Sequence, residues 1–112
     1  MGTTLTPPIH AGKSYSVRFT NDNGSTGVVL VTAGWVPKHG NTVPGTQSMS
    51  VAPSAESSLG GVVPAFADVR RLSVTVSLEA GESGTLELLE DAASIKDDDI
   101  SETTTWEVPV DP

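Results

Sequence analysis

Cysteine is absent from all 112 residues, which removes disulfides, thiolate metal ligands and thiol nucleophiles together. Aromatic side chains are nearly as scarce, since Tyr15, Phe19, Trp35, Phe66 and Trp106 are the whole set. Valine and leucine must therefore supply most of any core, and a cleft walled by aromatic rings has little to be built from. No apolar run approaches the ~18 residues of a membrane-crossing helix. Met1 to His10 has no basic stretch followed by an apolar one, so neither membrane insertion nor a secretory leader is expected of the sequence as it stands.

Cations are few as well. Six lysines and arginines face fourteen aspartates and glutamates, for a net charge of −8. The imbalance is not spread evenly. Residues 1–78 hold five cations against three anions, whereas residues 79–112 hold eleven anions and only Lys96. A surface this acidic repels phosphate backbones, and no basic stripe with interleaved aromatics overrides the repulsion, so nucleic acid is not an expected partner. The plain reading of the acidic third is a solvated face; the sharper one is a face that meets cations on another protein or on another copy of the chain.

What the sequence does have is alternation. In Arg71–Glu79, Leu72, Val74, Val76 and Leu78 alternate with polar and charged residues, which puts four apolar side chains on one face of a strand and scatters them around a helix. Ser14–Thr20 repeats the pattern with Tyr15, Val17 and Phe19, and Thr103–Val110 with Trp106, Val108 and Val110. The run Val28-Val29-Leu30-Val31 predicts a central strand covered on both faces, or one packed against a neighbouring chain. Gln47, Met49 and Val51 mark a further strand, Val62-Val63 a short one at an edge beside Pro64, and Thr85–Leu89 another. Asn21–Ser25 and Ala80–Gly84 have the composition of tight reversals, so Ser14–Thr20 with Gly27–Val36, and Arg71–Glu79 with Thr85–Leu89, are expected as hairpins. Pro53–Gly61 reads as a loop, Glu90–Glu102 as an acidic loop or a single helical turn, and Gly60-Gly61 as turn glycines. The expectation is an all-β antiparallel sandwich of about seven short strands, Greek-key or jelly-roll in type, occupying residues 14–112 and preceded by an extended Thr/Pro arm over residues 1–13.

Candidates for chemistry are thin. His10 and His39 are the only histidines, both in Pro- and Gly-flanked surroundings, and no Gly-x-Ser-x-Gly accompanies them, so no catalytic site is expected. The carboxylates could supply an acid and a base for sugar chemistry only with a cleft the few aromatics cannot line. Asp97, Asp99 and Glu102 are the candidate ligands for a calcium ion, which requires hard oxygen donors; the spacing departs from the EF-hand pattern, and a solvated acidic turn is the plainer reading. Trp35, at a strand end beside a polar loop, is the candidate for stacking on a sugar ring, whereas Trp106 shares a face with Val108 and Val110 and belongs to the core. No cofactor is expected. The expected function is a non-catalytic structural or interaction subunit of a homo-oligomeric or larger assembly, of the shell, fibre or virion-decoration type, with other protein subunits as partners. The alternative is a carbohydrate- or small-ligand-binding module, possible calcium assistance included.

Overall fold

A computed structural model describes residues 2–22, 27–37, 46–63 and 69–111. Ten strands run in chain order: β1 (Gly2–Leu5), β2 (Ile9–His10), β3 (Ser14–Asn21), β4 (Val29–Pro37), β5 (Gln47–Val51), β6 (Glu56–Val62), β7 (Val69–Ser77), β8 (Gly84–Glu90), β9 (Ala93–Ile100) and β10 (Thr104–Asp111). No helix occurs among the described residues. The fold is all-β with two sheets, one ordered β1-β10-β7-β4-β5 with β2 also on β10, the other ordered β6-β3-β8-β9.

Alternation translates directly into burial. Tyr15, Val17 and Phe19 on β3, Leu72, Val74 and Val76 on β7 with Leu78 just after it, Leu86 and Leu88 on β8, and Trp106 and Val108 on β10 point into one core shared by both sheets. Pairing is antiparallel throughout, except that β1 and β2 run parallel to β10. Pro7 and Pro8, between the two short strands, have no N–H to give a ladder and so break the N-terminal segment into two pieces on one edge.

Several expectations are corrected by the fold. The described residues form ten strands where about seven were expected, because the N-terminal segment pairs with β10 and the acidic stretch after Glu90 forms β9 against β8. Neither expected hairpin forms. The chain leaves β3 in one sheet and enters β4 in the other, and likewise passes from β7 to β8 between sheets. A reversal followed by an apolar strand can lie beside its predecessor or be stacked across the core from it, and the turn residues alone do not choose between the two. A hairpin does occur where none was expected: Asp91 and Ala92, at φ +50° and +68°, connect β8 to β9 with Glu90 opposite Ala93, the two left-handed positions that suit the strand twist. The stretch expected as a loop, 53–61, contains most of β6, which pairs with β3 over its whole length. β4 is central, between β5 and β7, but covered on one face only, since Val29 and Val31 are buried while Val28 and Leu30 are 58% and 45% exposed.

Side chains close both flanks of the core. On one flank, Gln47 of β5 reaches across to the other sheet: its Nε2 donates to the Gly60 carbonyl at 3.0 Å and to the Tyr15 hydroxyl at 3.2 Å, and its Oε1 accepts from the Gly60 N–H at 3.3 Å. The buried Asn21 adds a donation from Nδ2 to the Val51 carbonyl at 3.0 Å. On the other flank, Lys96 of β9 lays its ammonium 5.4 Å from the centre of the Trp106 ring and 3.1 Å from Asp98. An inward charge on an outermost strand also discourages that edge from pairing with another chain.

Candidate functional site

The acidic stretch becomes a pleated surface. Period two on β9 sets Asp97 and Asp99 on the face turned away from the core, opposite Glu87 and Thr85 of β8. Asp99 accepts a hydrogen bond from Thr85 Oγ1 at 2.7 Å. Arg18 of β3 stands between Glu56, at 3.3 Å, and Glu87, with which it is in direct contact. The hydrogen bond from Ser94, then Arg18, holds the Glu87 carboxyl below its ordinary pKa. Asp97, Asp98 and Asp99 line one hollow with Thr85, and Glu102, beyond the end of β9, lines a second one with Asp98, Asp99 and Trp106. Among the described residues no three histidine or carboxylate side chains gather into a group that could hold a metal ion. Of the calcium candidates, Asp97 and Asp99 share one face of β9 because they are two residues apart on an extended strand, whereas Glu102 lies past the end of that strand.

Trp35 on β4 is half-buried and packs against the core. Its ring centre is 5.3 Å from that of Tyr15 at an interplanar angle of 76°, a T-shaped pair of the kind that aromatic quadrupoles favour. Burial raises the Tyr15 phenol above its ordinary pKa. Trp106 is fully buried. His39 lies outside the described residues.

The sequence offered His10 only as a loop histidine and gave no sign of its partners. Its backbone N–H donates to Glu90 Oε2 at 2.6 Å, its ring Nδ1 is 3.0 Å from the same oxygen, and Nε2 is 3.9 Å from Asp111. Glu90 thus joins the N-terminal segment to the end of β8. Beside it Asp91 accepts from both the N–H and the hydroxyl of Ser14, at 3.2 and 3.0 Å, with Lys13 at 3.6 Å, and these contacts, the Ser14 hydroxyl foremost, hold the Asp91 carboxyl below its usual range. Eighty residues separate His10 from Glu90, and no local pattern in the sequence could have paired them.

No family model, curated protein or solved structure matches this chain. Function must therefore be argued from geometry.

Two apolar features of the described surface lie apart from the core and its clasps. One is the N-terminal edge, where Leu5 is 74% exposed. The other is a hollow of about 280 Å³ lined by Val28, Leu30, Leu78, Glu79 and Glu82 with Gly27 and Ser77. Its acidic rim is fixed from within the turn: Glu79 N–H donates to Glu82 Oε1 at 2.8 Å, and Glu82 N–H to the Glu79 carbonyl at 3.0 Å.

Proposed function

We propose that the chain is a non-catalytic structural or interaction subunit that works in a homo-oligomer or larger assembly, as a β-sandwich of Greek-key type presenting edges and ends to its neighbours. The observation that carries this reading is the N-terminal segment. It adds two short parallel strands to the edge of β10, is interrupted by Pro7-Pro8, and leaves Leu5 in water. A terminal strand held by one neighbour can be exchanged for the same strand of another copy at little cost in contacts, which is the usual route to swapped assemblies. The exposed apolar side chains Val28, Leu30 and Val62 add surface that a partner would cover.

The test is the mass in solution by size exclusion with light scattering, for the full chain and for a chain lacking residues 1–7, which spares the buried Ile9. The full chain is expected to assemble at micromolar concentration and the shortened chain to assemble less, with the same circular dichroism. A full chain that stays monomeric under those conditions refutes the reading. The carbohydrate reading keeps one observation in its favour, the partial exposure of Trp35, and glycan binding that vanishes in Trp35→Ala would establish it instead.

A further inference from the structure

The turn after β7 holds a carboxylate that no cation of the chain meets. Glu82 is 9% exposed, and one of its oxygens is engaged by the turn itself, where Oε1 accepts from the Glu79 N–H at 2.8 Å. The other oxygen, Oε2, faces Gly27, 3.8 Å from where a Cβ on that residue would stand, and takes no hydrogen bond or ion pair from the described residues. Enclosing a carboxylate this far is unfavourable unless hydrogen bonds or a cation meet its charge. The described lysines and arginines lie elsewhere. Lys13 pairs with Asp91, Arg18 with Glu56 and Glu87, Arg71 with Glu107 and Lys96 with Asp98, while Arg70 sits at the far end of β7.

Glu82 lines the hollow of about 280 Å³, and Glu79 lines it too, beside the apolar side chains of Val28, Leu30 and Leu78. Every lining residue belongs to the described part of the chain. The volume lies below the ~300 Å³ at which ligand clefts begin, so it suits one side chain. An apolar wall with carboxylates is the complement of an aliphatic stem that ends in a positive charge. Lysine and arginine both have that form, and hydrogen-bond geometry separates them. A guanidinium binds a carboxylate best through two parallel bonds to both oxygens, and one oxygen of Glu82 is already held by the turn. An ammonium is a point charge that needs only the open oxygen and takes a further acceptor from Glu79. Val28 and Leu30 remain 58% and 45% exposed, apolar surface that a free amine leaves wet and that a protein surrounding a lysine covers.

We propose that this hollow receives a lysine side chain presented by a partner protein, with the ammonium at Glu82 Oε2 and Glu79 and the stem along Val28, Leu30 and Leu78. It is a contact surface separate from the N-terminal edge and does not depend on self-assembly.

The probe is the peptide acetyl-Gly-Lys-Gly-amide, titrated into the isotope-labelled full chain and followed by the amide resonances of Gly27, Glu79 and Glu82. These should shift saturably, and no saturable shift overturns the proposal. The same peptide with arginine should bind about threefold more weakly. With norleucine, which keeps a stem and lacks the charge, it should bind about tenfold more weakly. Glu82→Gln keeps an oxygen for the Glu79 N–H and removes the charge, so it should weaken the lysine peptide about tenfold without lowering the melting temperature. Leu30→Ser, at an exposed position, should weaken the lysine and norleucine peptides alike. Asp97→Asn/Asp99→Asn removes two charges from the outer face of β9 and should leave binding unchanged. An equal loss in that variant means diffuse attraction to an acidic protein and overturns the site, as does full binding by Glu82→Gln or tighter binding of the arginine peptide. Resonances of Gly27 and Glu82 that move with protein concentration alone put a second copy in the hollow and overturn the foreign partner. These outcomes leave assembly through the N-terminal edge to the test of the shortened chain.

Discussion

Gly60 and Gly61 are adjacent in β6, yet alanine at the two positions should act with opposite signs. A Cβ on Gly60 would fall 2.2 Å from the Tyr15 carbonyl oxygen and 2.8 Å from the Ser16 Cα, whereas one on Gly61 meets nothing within 4 Å. The atoms met by Gly60 are backbone of the neighbouring strand, so no rotamer change relieves the clash; β6 must move away from β3. That movement also pulls Gly60 from the Gln47 amide, which holds both its N–H and its carbonyl. Overpacking of this kind costs about 1–3 kcal/mol, and loss of the paired contacts to Gln47 adds about 1 kcal/mol. Against this, glycine to alanine in an extended segment recovers about 0.5–1 kcal/mol by restricting the unfolded chain. Gly60→Ala should therefore destabilise by about 1–3.5 kcal/mol, while Gly61→Ala should be neutral or stabilise by up to ~1 kcal/mol. Urea unfolding followed by circular dichroism measures both, the midpoints shifting at constant slope. If Gly60→Ala proves as stable as Gly61→Ala, the close approach of β6 to β3 and the Gln47 clasp are both wrong.

Acid should act through Asp91. Its carboxyl is held below the ordinary 3.8 by Ser14, so the stabilisation is complete above that value and is lost as pH falls through the folded pKa; Ser14→Ala should flatten the fall in stability between about pH 5 and pH 2, read from urea midpoints across that range. Alkali should act through Tyr15, the single tyrosine. Burial raises its phenol above 10.0, so phenolate absorbance should titrate above pH 10 in the folded chain and near 10 in urea, with stability lost as pH climbs through the folded value. Trp106→Ala, at a fully buried ring, should cost about 3–5 kcal/mol in the same unfolding assay. In a Trp35→Phe background, Lys96→Ala should red-shift Trp106 emission and open it to iodide, and Lys96→Met should do so less, because the aliphatic stem does the covering.

Elements whose inner and outer faces differ in chemistry were legible from the chain alone. Arg71–Glu79, Ser14–Thr20 and Thr103–Val110 alternate so strictly that strand, buried face and core membership follow from period two, and the all-β class follows from them. β9 was illegible because Lys96 and Asp97–Asp99 show no apolar alternation; its strand exists only because β8 offers an open ladder and Trp106 a ring for Lys96 to cover. β6 was hidden likewise by Ser57, Ser58, Gly60 and Gly61, residues that read as loop until β3 supplies their partners. The choice between hairpin and crossover after β3 and β7, the pairing of His10 with Glu90 and the distinction between Gly60 and Gly61 all depend on atoms far away in sequence. Local pattern determines which face of each strand leaves water; which strands then become neighbours is decided by packing two sheets on one core, a constraint no single segment carries.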